Sequence, residues 1–259
     1  MPSTVAEIFA AADIKRAGVV KWGMRPALPT PPAASATGIY VVALTDQVET
    51  YVGARARPPI SGSAVERLLA VRPELRLDGT RPTPDQLVER LAAFWFSDEV
   101  IIYIGLAGPR KSRPAQGELA KRVGEYCSTP LGARGPHAGG WPLKTLVCLS
   151  DLHVHYAYCE HVDRAEGACI GRFAEGVSQM TRSQLRDAVR VMPFANLEFP
   201  RGTRKNHGIE GARAPKRAVS NNDRHDAATI VVRQRRVSPA RLVSPRGRPC
   251  DRRDATHSQ

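Results

Sequence analysis

VIIYIGLAGPRKSRPAQGELAKRVGEY, residues 100–126, reads as an apolar strand, a basic turn punctuated by glycine and proline, and a helix. On that helix Leu119, Arg122, Val123 and Tyr126 fall at i, i+3, i+4 and i+7 and share one face, whereas Glu118, Lys121 and Glu125 point elsewhere. An arginine therefore stands on or beside the stripe that packing would make apolar. The helix around HVDRAEGACIGRF (161–173) repeats the anomaly, with Glu166 inside the stripe of Val162, Ala165, Cys169, Ile170 and Phe173. An ionised carboxylate in an apolar face needs a compensating cation, either a metal ion or an arginine. A buried Glu166–Arg122 pair and a polar site are both open at this point.

Working outward, GIYVVAL (38–44) and LHVHYAY (152–158) carry the β-branched and aromatic content of strands. Between GIYVVAL and the opening stretch lies a helical insertion, 45–97. Ser63 with Glu66 and Thr83 with Gln86 have capping-box spacing, and Pro84 suits a first helical position, which predicts helices over 63–72 and 84–95. The second gathers Leu87, Val88, Leu91, Phe94 and Trp95 on a core face. Residues 4–17 read as a short amphipathic helix, followed by the strand-like GVVKW and a Pro/Ala-rich connector. The organisation is an N-terminal extension (1–35), a main domain with its insertion (36–212), and a polar, basic tail (213–259) of disordered composition.

The chain has 259 residues, 42% of them hydrophobic and 24% charged, enough for one sizeable domain with appendages or two small ones. No apolar run approaches the roughly 20 residues that span a bilayer, and the N-terminus lacks the features of a signal peptide. The expected setting is cytoplasmic, with no membrane partner. Five cysteines, odd in number and widely spaced, argue against a disulfide framework. His153, His155, Cys159 and His161 match no standard zinc spacing and read as packing and surface residues. The net charge of +13 points to an anionic partner, with nucleic acid the commonest. Twelve Lys and Arg against four Asp from residue 213 onward account for +8 of it, so the first 212 residues are only mildly basic.

Gly38-Ile39-Tyr40 in one strand, Tyr103-Ile104-Gly105 in the next, Arg122 turned inward, Tyr126 one turn later, Glu166 turned inward and Asn196 in PFANLE form an ordered series. Over roughly residues 36–200 it resembles the GIY-YIG nuclease superfamily. The resemblance implies an α+β module, a small central antiparallel sheet of about three strands flanked by helices, that cleaves phosphodiesters with one divalent cation, Mg²⁺ or Mn²⁺. It implies catalytic roles for Tyr40, Tyr103, Arg122, Tyr126, Glu166 and Asn196, with Asn206 a rival for the last place and Glu166 the metal ligand. Phosphodiester hydrolysis needs positive charge at the nonbridging oxygens, activation of water and stabilisation of the leaving oxyanion. Arg122 suits the first through bidentate contacts, and Glu166 offers a hard oxygen to the metal. Tyr40 takes the role of base or water-orienting group, with Tyr103 assisting. A phenol with a pKa of about 10 serves as a base only if nearby cations lower it.

Three departures from the family pattern stand out. Sixty-two residues, 41–102, separate Tyr40 from Tyr103, a length that loop-closure entropy tolerates because its cost grows only logarithmically. Tyr126 occupies a place where many relatives have histidine. Gly167 and Gly171 dilute the Glu166 helix, allowing close backbone approach or marking a shorter helix. Arg110, Lys111 and Arg113, directly after YIG, suit phosphate contacts or a solvated loop, and His137 in GPHAGGWP suits a phosphate contact or a stabilised turn. The leading expectation is a metal-dependent DNA endonuclease in defence or repair, which could act as a homo-oligomer. The alternatives are a nucleic-acid-binding module without turnover and a protein-interaction domain in which Arg122–Glu166 is a salt bridge.

Overall fold

The structure is a computed structural model and describes residues 2–27, 36–108, 118–133, 135–137, 139–199 and 202–212. The expected tail, 213–259, lies outside the described residues. Helix α1 (Val5–Ala11) is followed by strands β1 (Gly18–Lys21) and β2 (Gly38–Ala43). Next come α2 (Gly62–Val71), the two-residue strand β3 (Arg76–Leu77), α3 (Pro84–Ala92), β4 (Ile101–Ala107) and α4 (Glu118–Ser128). The chain continues through β5 (His153–Tyr158), α5 (Val162–Gly176), α6 (Gln179–Gln184) and the short strands β6 (Glu198–Phe199), β7 (Thr203–Arg204) and β8 (Ile209–Glu210).

The protein is α+β. Its central sheet has the order β1-β5-β2-β4 with every pairing antiparallel, one strand more than the roughly three expected. The extra strand comes from the N-terminal segment, whose Gly18–Lys21 pairs with Tyr156–His153. Despite the long insertion between them, β2 and β4 are direct neighbours, with Tyr40 opposite Gly105 and Val42 opposite Tyr103.

All six residues of β2 are buried, so both faces of the sheet are covered. Alternation sends Tyr40 and Val42 to one face, where they pack with residues of α2, α3 and α4, and sends Ile39, Val41 and Ala43 to the other, under α1 and α5. The helical insertion is thus one layer of the core, tied back to the chain's later part by the β3–β8 pairing.

Local chemistry moves three expected boundaries. Helix α2 starts at Gly62 because Ser61, extended at φ −84° and ψ 113°, accepts from the Ala64 N–H; Ser63, expected as the cap, lies inside the helix and bonds the Ser61 hydroxyl. Helix α1 stops at Ala11 rather than near 17, since Asp13 takes φ +54° and turns the chain toward β1. Helix α3 does begin with the Thr83–Gln86 capping box and Pro84, but ends at Ala92, after which Trp95 donates its indole N–H to the Arg55 carbonyl at 2.6 Å. Helix α5 runs through Gly167 and Gly171, and no atom beyond the helix's own backbone lies within 4 Å of where their Cβ atoms would stand.

Strand β4 is an edge of the sheet, and its outer groups are satisfied by the turn at 192–196. The Ala195 N–H donates to the Ile102 carbonyl at 2.9 Å. Asn196 accepts from the Ile104 N–H at 2.9 Å and donates to the Ile104 carbonyl at 2.7 Å, replacing a strand partner with one side chain. Lys205, itself buried, donates to the carbonyls of Met192, Pro193 and Phe194 at 3.2, 2.9 and 3.2 Å and fixes that turn in place. Among the described residues this cover reaches as far as Ile104.

Candidate active site

The two glycines of the motif have distinct steric causes. A Cβ on Gly38 would stand 2.1 Å from the Ala157 carbonyl oxygen of the neighbouring strand. A Cβ on Gly105 would meet the Tyr103 ring at 2.6 Å and the Tyr40 ring and hydroxyl at 2.7 and 2.8 Å. Gly105 therefore lets two tyrosines from adjacent strands lie over the backbone of β4. Tyr126 of α4 completes the cluster, its ring centre 4.9 Å from that of Tyr103 and 6.1 Å from that of Tyr40. Its hydroxyl donates to the carbonyl of Gly140, a residue at φ +63° whose Cβ would collide with that hydroxyl at 2.3 Å.

His137 belongs to this cluster. Its ring stacks on Tyr126 at 4.3 Å, its Nε2 lies 2.8 Å from the Tyr40 hydroxyl, and its backbone N–H donates to the Thr129 hydroxyl. Lys144 covers the Tyr126 ring from 5.5 Å and donates to the Thr129 carbonyl. With 3% of its surface exposed, His137 cannot meet a phosphate approaching from solvent, so the phosphate-contact reading is corrected to a buried partner of Tyr40.

At the open end of β4 the N-terminal turns of α4 and α5 approach from opposite faces of the sheet and enclose a cleft of about 390 Å³. It is lined by Leu106–Gly108, Glu118, Arg122, Val162 and Asp163. Arg122 is one-third exposed there and lies 3.9 Å from Glu125. Among the described residues no ion pair joins Arg122 to Glu166, so the closed salt bridge considered from the sequence does not form.

Burial dominates the electrostatics. It raises the Glu166 carboxyl to about 7, Asp163 pushing in the same direction and Arg122 opposing. Tyr103 is raised to about 12 by burial and by Glu166, and Tyr40 is raised well above its ordinary value by burial and by Tyr103, although Arg122 pulls both down. A phenol base would need the opposite shift. The condition set for a phenol base is not met by Arg122 alone: the cost of desolvating a phenolate at these buried positions exceeds what one partly exposed guanidinium returns. His137 is pushed down to about 3 by burial, then by Arg122 and Lys144, and is neutral at physiological pH.

No family model, curated protein or solved structure matches the chain.

Of the residues singled out from sequence, the structure brings Tyr40, Tyr103, Tyr126 and His137 into one cluster and sets Arg122 and Glu166 in electrostatic reach of Tyr103. Asn196 is elsewhere engaged, both ends of its amide being bonded to the backbone of β4, and the Asn206 side chain is exposed while its N–H donates to Asp187. Arg110, Lys111 and Arg113 lie outside the described residues. Sequence reasoning missed Lys144, Thr129 and Asp163. Asp163 was findable, one turn before Glu166 on the same helix; Thr129 and Lys144 have no periodic signal and are brought in by the turns around 130–145. Among the described residues there is no cluster of three or more His, Cys, Asp or Glu able to hold a metal, and no helix is long and apolar enough to cross a membrane. His155, from the rejected zinc set, is buried and its Nε2 lies 2.8 Å from the Thr45 carbonyl oxygen.

Proposed function

We propose that the protein is a divalent-metal-dependent endonuclease of the GIY-YIG type that hydrolyses phosphodiester bonds in DNA. The observation that supports this reading is that Arg122 and Asp163 line one cleft at the end of the YIG strand, with Glu166 and Tyr103 in electrostatic reach of Arg122. The guanidinium, partly exposed in a cleft, is placed to take the nonbridging oxygens of a phosphate. Glu166 would hold Mg²⁺ or Mn²⁺, with Asp163 one turn away. Mg²⁺ is commonly held by one or two carboxylates together with waters and the substrate's phosphate. The cation would supply Lewis-acid stabilisation of the charge gathering on the phosphoryl oxygens. With its pKa raised to about 12, Tyr103 would act toward water as a neutral hydrogen-bonding group and not as its base.

The partner is DNA by charge and by the shape of the resemblance; the insertion, with seven arginines against seven carboxylates over 45–97, adds nothing to the attraction. One such site cuts one strand, so a double-strand break would require a second copy. The full burial of Tyr40 favours a second reading, a nucleic-acid-binding module that does not turn over.

A plasmid-nicking assay with Mg²⁺ or Mn²⁺ on wild type and Glu166→Ala, both shown folded by circular dichroism, separates the two. Cleavage by wild type, lowered at least about 100-fold in the variant, is the expected result. No cleavage by either, with salt-sensitive duplex binding that ignores the substitution, would establish the second reading instead.

A further inference from the structure

We infer that Asp163 takes the proton from the attacking water, facing across the cleft a phosphate held by Arg122. The assignment rests on the proposed nuclease reading and adds to it the residue that activates water.

Both walls of the cleft are fixed to two consecutive residues at the entry of β2. On one side the Leu119 N–H of α4 donates to the Ala36 carbonyl at 3.1 Å. On the other, the Thr37 hydroxyl donates to the Cys159 carbonyl at 2.7 Å, and the Cys159 N–H donates to the Thr37 carbonyl at 3.1 Å. The turn that enters α5 is held by that pair. Val162, in the first turn of α5, closes on the end of β4: a Cβ on Gly108 would stand 3.3 Å from its methyl carbon. Arg122 and Asp163 thus line a cleft whose walls are spaced by backbone bonds, the rigid support that a reacting geometry requires.

Hydrolysis of a phosphodiester proceeds by in-line displacement, so water approaches on the side away from the leaving oxygen. A phosphate drawn to the Arg122 guanidinium lies between the two walls, and the wall opposite Arg122 carries Asp163. Among the described residues no ion pair or hydrogen bond engages the Asp163 side chain, and the residue is exposed, so its carboxylate is open to water. The other acids and phenols are less well placed. Tyr40 is completely sealed, Glu118 lines the cleft but is only 2% exposed, and neither Tyr103 nor Glu166 lines it.

The water oxygen forms its bond to phosphorus as one of its protons passes to the Asp163 carboxylate. The bond from phosphorus to the leaving sugar oxygen breaks, and that oxygen takes a proton from solvent while Asp163 returns its own.

The test sets Asp163→Asn, which keeps the shape of the side chain and cannot accept the proton, beside wild type and Arg122→Ala, all shown folded by circular dichroism. In plasmid nicking with Mn²⁺, Asp163→Asn should lower kcat by about 100-fold or more without raising KM. Duplex binding without divalent metal should be tighter in Asp163→Asn by about 2-fold or more, because a carboxylate no longer faces the phosphate, and weaker in Arg122→Ala. An Asp163→Asn variant that cuts like wild type, or binds duplex no more tightly, overturns the assignment and leaves the nuclease reading standing. A rise of about 10-fold or more in the Mn²⁺ needed for half-maximal cutting makes Asp163 a metal ligand and overturns it as well. A wild type that cuts nothing overturns the nuclease reading and this assignment with it.

Discussion

Gly105 shows how much a single residue settles. The strand needs no glycine for its own conformation there, and Gly costs a strand interior some stability. It is required because two rings occupy the space that a side chain would fill, at 2.6–2.8 Å from a Cβ. Gly105→Ala should therefore destabilise the fold by roughly 1–3 kcal/mol, as overpacking does, and shift the urea midpoint without changing the slope. An unchanged midpoint would mean that the rings do not rest on β4 as described. At this scale the sequence was informative about identity and silent about state. The GIY and YIG triplets and the inward Arg122 could be picked out by position and periodicity. The direction of the tyrosine shifts could not, because it is set by how completely distant segments exclude water from the phenols. His137 lay in a stretch with no periodicity at all, and its partner is 97 residues away in sequence.

Among the elements, β4 carries the most consequence, since it is both an edge and the floor of the cleft. Edge strands expose unpaired backbone groups, and here the turn at 192–196 closes them as far as Ile104. Asn196→Ala would leave the Ile104 N–H and carbonyl without partners, a loss on the order of 2 kcal/mol in chemical denaturation. Nicking activity per folded molecule should stay within a small factor of wild type. A loss of activity at full stability would restore to Asn196 the catalytic role that the family resemblance suggested. Helix starts were legible where a side chain caps its own amides, as at Thr83. They were ambiguous where two serines compete, as at Ser61 and Ser63, because only the backbone angle at the first identifies the cap. The fourth strand was legible as a strand in GVVKW, but its place beside β5 depends on long-range pairing that no local pattern encodes.

For the whole molecule, the covering of β2 on both faces means that the N-terminal segment cannot be a detachable extension in energetic terms: Val5, Ile8 and Phe9 complete the core beneath α5. A buried acid joins that segment to the entry of β4. The Ser3 N–H donates to Glu99 Oε2 at 3.3 Å, while Oε1 is buried without a partner, and burial, reinforced by Asp98, raises the carboxyl to about 8. The sign of the resulting pH dependence follows from comparing the two states. In the unfolded chain Glu99 titrates near its ordinary value of 4.5, whereas the folded protein holds the proton up to about 8. Between these values the folded state binds more protons, so the contribution of Glu99 is fully present below 4.5, declines as pH rises, and is gone above about 8. Other groups contribute slopes of their own: Glu166, raised to about 7, in the same direction, and Lys205, lowered to about 7, in the opposite direction above that pH. Glu99→Gln removes one slope and leaves the rest. The difference in unfolding free energy between wild type and Glu99→Gln, followed from pH 4.5 to pH 8, should therefore move in favour of the variant by an amount on the order of a few kcal/mol. If that difference is flat with pH, Glu99 is ionised in the folded protein and water or a cation reaches the junction between the N-terminus and β4.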